Sequence, residues 1–499
     1  MHITASNLYD YLQCPHRVWR DIYGPRDEKI KETNPFVQLL WDKGVQYEKK
    51  VIDQIGDFLD LSKGNLEERF AKTITAMKSK TPLIYQGVLM VDNLAGIPDL
   101  LRLMPDGSYL PIDIKSGMGV QGVDEENEEE GKLKKSYAVQ LALYCDALIR
   151  LGFENKKTAL IFDIAGNEVE YNLENPIGKI NKMTFWELYE DALAKVSALI
   201  ENKTQNKPAM AGICKLCPWY ASCKKWTEKT DDPTCLFYLG RSKRDTLSQD
   251  AGINTVQDLL TANVDDLMKQ RKGDKNFLKG IAEKTMETII TRANILRKIK
   301  KPIVYGKIDF PQVDYELFFD IEDDPTQEFV YLHGVYERSP NGERFLDFTA
   351  KEISATAEKQ AWADFWRYTQ SLPENNFAVY YYSHHEKTTY KRMQKKYSDV
   401  ISADEVESFF DNPNVIDLYQ IVLKNTDWPV GSYSLKALAQ YLGFSWRDKT
   451  PSGALSIQWF NDYIKTKDER ILNRILLYNE DDCRATMVLR DGIENISKK

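Results

Sequence analysis

Nowhere in the 499-residue chain is there a run approaching the ~18 consecutive apolar residues that a membrane-spanning helix needs. The opening residues, MHITASNLYDYLQCPHRVWR, lack the apolar core of an export signal, so the chain is expected to be cytoplasmic. An excess of positive charge is missing too: 67 Lys and Arg stand against 75 Asp and Glu, a net charge of -8. Polyanion binding is therefore not a whole-molecule property, and any nucleic-acid contact must come from local patches such as RANILRKIKK (292–301) and KRMQKK (391–396). Cysteine is scarce, with seven residues, and in a reducing compartment these argue for metal or cluster ligation before disulfides. Of five histidines, His384 and His385 are adjacent and read as polar or hydrogen-bonding surface.

The length gives a prior of about three domains, and the text divides accordingly, as an α/β multidomain chain. Residues 1–227 alternate helical and strand patterns, and the polar, proline-containing TEKTDDPTC (227–235) reads as a linker with the boundary near 228. Residues 228–304 hold short amphipathic helices broken by glycine, a small all-helical segment. Residues 305–499 return to strands (YELFFDIE, FVYLHGVYE, NFAVYYYSH) followed by helices. The acidic run DEENEEEG (124–131) reads as a solvated flexible loop.

In the first block, LAGIPDLL (94–101) and YLPIDIKSG (109–117) read as neighbouring strands. Asp99 ends the first, while Asp113 and Lys115, at i and i+2 on the second, leave the same face. Two carboxylates can hold a divalent cation, and a lysine beside them can position and help deprotonate water, the chemistry of phosphodiester hydrolysis. An incidental D-x-K on a surface strand is the plainer alternative. The helix SYAVQLALYCDAL adds Gln140 and Tyr144 on one face, and WDKGVQYEKKVI places Glu48 on a helix able to bring a further carboxylate.

These residues, G-x-P-D, D-I-K-S-G and Q-L-A-L-Y in that order, resemble the PD-(D/E)xK restriction-endonuclease-like core of RecB-family nucleases over roughly residues 1–225. The block ends in GICKLCPWYASC, with Cys214, Cys217 and Cys223. It is similar in this to the iron–sulfur branch that includes AddB and the CRISPR-associated RecB-like nucleases, where a lone cysteine before the core and a triplet after it bind a [4Fe–4S] cluster. The resemblance implies that Cys14, in LQCPHRVW, is the fourth ligand, so that the cluster staples the two ends of the block. Zinc is the competing occupant, since four thiolates suit it equally. Cys145, Cys235 and Cys483 have no partner spacing and read as packed thiols.

In the second block, LGRSKRDTLSQDAGINTVQDLL resembles a helix-hairpin-helix module turning at Gly252-Ile253, which would hold phosphates without reading bases; a plain helical spacer is the alternative. In the third, LFFDIEDDP puts Asp320 and Glu322 on one face at a strand end, suited to two metal ions ~4 Å apart. LLYNEDDCRATMVL puts Tyr478 and Asp482 one helical turn apart. D-x-E early and Y-x-x-x-D late resemble the DEDD 3′–5′ exonucleases of the DnaQ and RNase H-like superfamily, in the version with tyrosine in the last motif. The middle motif departs from that pattern: Glu386 stands where an aspartate is expected, with Asp417 as its rival for the metal. GSYSLKALAQYLGF (431–444) is similar to that family's positioning helix and is equally well read as core.

The fused layout resembles a family of RecB-like nucleases. The resemblance implies Mg or Mn as hydrolytic ions, nucleic acid as partner, in particular DNA with single-stranded ends, and a helicase or defence-system context. Three functions are weighed: a two-centre DNA nuclease in repair, recombination or defence; an RNA-processing 3′ exonuclease whose first block is a binding platform; and a non-catalytic iron–sulfur nucleic-acid-binding or redox-sensing protein. The intact Asp113/Lys115 and Asp320/Glu322/Asp482 sets argue against the third. DNA against RNA is open.

Overall fold

The computed structural model describes residues 2–30, 34–121, 131–178, 182–204 and 206–498, so all of the acidic run 124–131 except Gly131 lies outside the described residues. The chain divides into two compact units, Met1–Pro208 with Gly212–Lys224, and Ala209–Ala211 with Lys225–Lys499.

The first unit is built on a six-stranded mixed sheet in the spatial order Glu168–Asn172, Thr158–Phe162, Tyr109–Ile114, Leu100–Leu103, Leu83–Tyr85, Leu59–Asp60. Every residue of Tyr109–Ile114 is buried, as a strand covered on both faces requires. Leu110, Ile112 and Ile114 pack with Tyr47, Val51 and Ile52 of the helix Pro35–Gln54. Tyr109 packs on the other side, with the helix Lys135–Arg150. By the two-residue period of a strand, Asp113 faces that second helix. The stretch 94–101 is not one strand. Leu94–Gly96 belongs to a separate three-stranded sheet with Ile3–Thr4 and Leu89–Val91, while Leu100–Leu103 pairs with Tyr109–Ile114. Asp99 thus sits in the turn between two sheets, where Pro98 removes a backbone donor and breaks the run.

In the second unit, helices Arg241–Ala251, Val256–Thr261, Val264–Gly273 and Glu283–Asn294 surround a core of their own that includes Leu247, Val256, Leu278 and Met286. Gly252 closes the first of them at φ +66, a left-handed position that glycine adopts without strain. TEKTDDPTC is not a polar linker. Thr227, Asp232 and Thr234 are buried, and Asp232 pairs with the buried Arg244 at 2.7 Å, so its charge is neutralised inside the unit.

The rest of this unit is a five-stranded sheet in the order Gly342–Thr349, Phe329–Ser339, Tyr315–Asp324, Phe377–Tyr381, Val415–Asp417, the first three antiparallel and the last two parallel. The final helix, Glu469–Ser497, runs 29 residues, about 44 Å at 1.5 Å per residue, and packs against the central strands. It carries Tyr478 and Asp482 to the strand that bears Asp320 and Glu322.

Candidate active sites

In the first unit Asp113 is buried near the end of its strand, and Lys115 Nζ reaches back to its Oδ2 at 2.8 Å. Asp99 Oδ2 accepts from the Ile114 backbone N–H at 2.7 Å, which locks the turn to that strand. Glu48 arrives from the helix Pro35–Gln54 and accepts from Tyr85 Oη at 2.9 Å. Gln86 joins the two outer acids: its Nε2 donates to Glu48 Oε1 at 2.9 Å and to Asp99 Oδ1 at 3.2 Å. Gln86 holds φ +55, a conformation costly for a residue with a side chain, which points to a constrained site.

Burial, with Asp113 and Glu48 adding, pushes the Asp99 carboxyl well above its ordinary range, against Lys115 and the Ile114 N–H. Burial acts to discharge Lys115, but Asp113 and Asp99 outweigh it and hold the ammonium above its usual value. Tyr144 lies in this field, its phenol raised by burial and then by Asp113 and Asp99, with its hydroxyl 3.5 Å from the Ile97 carbonyl. Gly96 makes room for it, since a Cβ there would stand 2.6 Å from the Tyr144 ring. Gln140 Oε1 is buried without a hydrogen-bond partner among the described residues. Gln86 and Tyr85 escaped the sequence reading; the only signal for them is a polar residue closing an apolar strand, LIYQG.

Cys14 occupies the junction between helices Ala5–Gln13 and Pro15–Tyr23. Cys214 lies in the turn Gly212–Leu216 and Cys223 in the helix Tyr220–Lys229. Burial raises the Cys217 thiol, and the charges of Cys14 and Cys214 add to that. Burial pushes Cys223 up to about 11, with Arg20 opposing and Cys217 and Cys14 adding. Cys217 thus lies in the field of Cys14 and Cys214, and Cys223 in that of Cys217 and Cys14; four sulfur donors are the set an iron–sulfur cluster takes. No three of them, among the described residues, come within the 4.8 Å that a single-ion group requires.

In the second unit one group does. The ligand oxygens of Asp320, Glu322 and Asp482 lie within 4.8 Å of one another, with Glu322 and Asp482 buried. Three carboxylates this close, two of them buried and Asp320 partly so, form a donor set for a hard divalent cation. Burial, then the Asp482 charge, pushes Glu322 up to about 8. Burial raises Asp320 well above its ordinary range, with Asp482, Glu322 and Glu386 adding and Lys436 opposing. Asp482 is raised by burial against Lys436 and the hydrogen bonds of Tyr478 and Trp446, the latter donating from Nε1 at 2.6 Å. Asn479 Nδ2 donates to Asp320 Oδ2 at 2.7 Å. Tyr478 is raised well above its ordinary value by burial and the surrounding acids, and Lys436 Nζ donates to its hydroxyl at 3.2 Å.

Glu386, buried in the first turn of the helix His385–Lys396, accepts from Ser383 Oγ at 3.1 Å, and burial pushes it up to about 7. It acts on Asp320 through its charge but lies outside the 4.8 Å trio. Asp417 caps the helix Leu418–Asn425, accepting from the Tyr419 N–H at 2.8 Å. Trp446, Lys436 and Asn479 are contributions the sequence did not reveal, because each reaches the acids by tertiary packing. His384 stands just before the helix of Glu386, and His385 is an exposed partner of Asp323 at 3.0 Å.

Residues 13–224 match the family model of the PD-(D/E)XK nuclease superfamily, and residues 317–493 match one of the RNase H superfamily. No curated protein matches the chain. The chain is thus a mixed α/β protein with two nuclease-type domains, and the acidic set of each lies within the matched residues.

Proposed function

We propose that this chain is a metal-dependent nuclease with two active centres, hydrolysing phosphodiester bonds of DNA with single-stranded ends, in repair, recombination or defence. The first centre comprises Glu48, Asp99, Asp113, Lys115, Gln140 and Tyr144, braced by a [4Fe–4S] cluster on Cys14, Cys214, Cys217 and Cys223. The second is a 3′–5′ exonuclease comprising Asp320, Glu322, Glu386, Tyr478 and Asp482. The observation that carries this reading is the Asp320–Glu322–Asp482 trio: three acids forced together in a largely buried site raise one another's affinity for protons, and a divalent cation relieves that repulsion.

Bound at such acids, Mg or Mn would supply an activated water and neutralise charge on the leaving oxygen. The chain's own groups divide the remaining work. Tyr478 stays a neutral phenol, so it orients water through a hydrogen bond and is no base. Lys436 fixes the direction of that hydroxyl, since an ammonium only donates. Lys115 is held as a cation by Asp113, so in the resting site it steers an anion or a water lone pair; a cation at the acids would weaken that hold and ease its release of a proton. The orphaned Gln140 Oε1 offers an acceptor to a group from outside the chain.

A cluster is preferred over zinc for the likeness of the cysteine pattern, with Pro218 after the second of the triplet, to the iron–sulfur branch. DNA is preferred for the likeness to the RecB branch. The decisive experiment compares cleavage of matched 5′- and 3′-labelled DNA and RNA oligonucleotides, with Mg or Mn, by the full chain and by its Asp113→Ala and Asp320→Ala variants. Absence of metal-dependent cleavage of any of them would remove the proposal.

A further inference from the structure

Asn479 follows Tyr478 and precedes Asp482 by three positions on the final helix, and it is completely buried. A buried carboxamide needs partners for two N–H donors and one carbonyl. Nδ2 donates to Asp320 Oδ2 at 2.7 Å, and the same side chain opposes the upward shift of the neighbouring Glu322. Oδ1 points the other way, 3.9 Å from Cys483 Sγ. That orientation follows from the acids themselves, because a carboxylate accepts and only the nitrogen end can donate.

The space for this amide comes from Gly334. In the antiparallel pair Tyr315–Asp324 with Phe329–Ser339, Gly334 stands directly opposite Asp320. A Cβ on Gly334 would lie 1.6 Å from Asn479 Oδ1 and 2.8 Å from its Cγ. Its backbone is not among the positive-φ positions, so conformation does not demand glycine here, whereas space does. Side chains facing each other across a sheet otherwise fill this gap. The missing side chain opposite Asp320 therefore lets a helix residue reach down onto the strand.

We infer that Asn479, seated over Gly334, is a positioning residue that clamps the Asp320 carboxylate beside Glu322 and Asp482 in the arrangement that receives a divalent cation. The inference rests on reading the acidic trio as a metal site. A neutral amide suits the task better than Lys or Arg would: it fixes one carboxylate against its repelling neighbours without cancelling the charge that attracts the ion. Asn479 acts through its neighbours and touches neither metal nor substrate.

The test uses the full chain carrying Asp113→Ala, so that the first unit's acids do not compete, titrated with Mn²⁺ and followed by the paramagnetic signal of the free ion. Asn479→Ala should weaken Mn²⁺ binding by about 10-fold or more, the scale seen when a group holding a ligand in place is lost. Its 3′ trimming should fall at limiting Mn²⁺ and recover at high Mn²⁺. Gly334→Ala, which alters no polar group, should weaken Mn²⁺ binding similarly and lower the thermal midpoint of the metal-free chain. Adding Asn479→Ala to Gly334→Ala should restore the midpoint, because the clash is gone, while Mn²⁺ binding stays weak. If Asn479→Ala binds Mn²⁺ like its parent, or the double variant recovers both properties, Asn479 is packing alone and the inference fails. Asp320→Ala separates the two levels. If it abolishes binding while Asn479→Ala is silent, the metal-site reading stands and only the clamp falls; if Asp320→Ala also leaves binding unchanged, the metal-site reading falls too.

Discussion

Glu322 sets the pH behaviour of the second unit. Its carboxyl is moved from an ordinary 4.5 up to about 8, by burial first and then by Asp482, and Glu386 moves from 4.5 to about 7, by burial. Between those limits the folded chain keeps protons that the unfolded chain has released. The stability these groups contribute is fully present below 4.5 and is lost as pH rises through about 7 to 8. The thermal midpoint of the chelator-treated protein should therefore fall by at least about 5 °C between about pH 5 and about pH 8, and saturating Mn²⁺ should reverse the fall at the upper end, since an ion binds the charged form. Glu322→Gln should flatten the metal-free slope; a midpoint rising over that window would contradict the burial of these acids. Glu386 and Asp417 separate at the same scale. Asp417 accepts the Tyr419 N–H as a helix cap, whereas Glu386 projects its charge onto Asp320. Glu386→Ala should lose at least ~10²-fold in 3′ trimming, and Asp417→Ala should cost mainly ~1 kcal/mol of stability with only partly reduced trimming. The reverse ranking would transfer the third carboxylate to Asp417.

At the scale of elements, what was legible in the sequence was whatever a local period carries. Asp320 and Glu322 at i, i+2 on a strand, Tyr478 and Asp482 at i, i+4 on a helix, and Asp113 beside Lys115 each lie on the face their spacing implies. Asp99 was misplaced because LAGIPDLL looks like one apolar run, and only the pairing reveals that its halves enter different sheets. Gln86, Trp446, Asn479 and Gly334 carried no signal, because their partners lie 13 to 159 residues away and are chosen by packing. The 227–235 stretch differs for the opposite reason: its polar, proline-containing composition predicts a linker, and Asp232 instead has a buried arginine. Cys14 tests the junction of two helices. Its N–H donates to the Asp10 carbonyl at 2.8 Å and its carbonyl accepts from Arg17 N–H at 3.0 Å, so the backbone there is satisfied without the thiol. Cys14→Ala should therefore leave the helices intact but remove the brown colour and iron of anaerobically purified protein, and lower the melting midpoint of the first unit by several degrees. Colourless wild-type protein with stoichiometric zinc would overturn the cluster.

On the scale of the whole molecule, each compact unit has its own core and its own acids, so damage to one acidic set should leave the other working. With a net charge of -8, the chain must hold a polyanion through local basic segments, and binding should weaken steeply with salt. Separability is the sharpest consequence. Asp113→Ala and Lys115→Ala should abolish one metal-dependent activity without loss of iron, because Asp113 sits on the strand Tyr109–Ile114 with Lys115 just past its end, and the two pair with each other and, among the described residues, with no cysteine. Asp320→Ala and Asp482→Ala should instead remove stepwise 3′ trimming by at least ~10²-fold, the loss expected when an ion that neutralises developing charge can no longer be held. Labelled single strands resolve the two: shortening one nucleotide at a time from the 3′ end must follow Asp320 and Asp482, and whatever cleavage remains must follow Asp113 and Lys115. Should the Asp113→Ala, Lys115→Ala double variant cut every substrate at the wild-type rate, the first unit's acids are not a catalyst for them. Should trimming survive loss of Asp320, or proceed only from 5′ ends, the exonuclease assignment of the second unit is wrong.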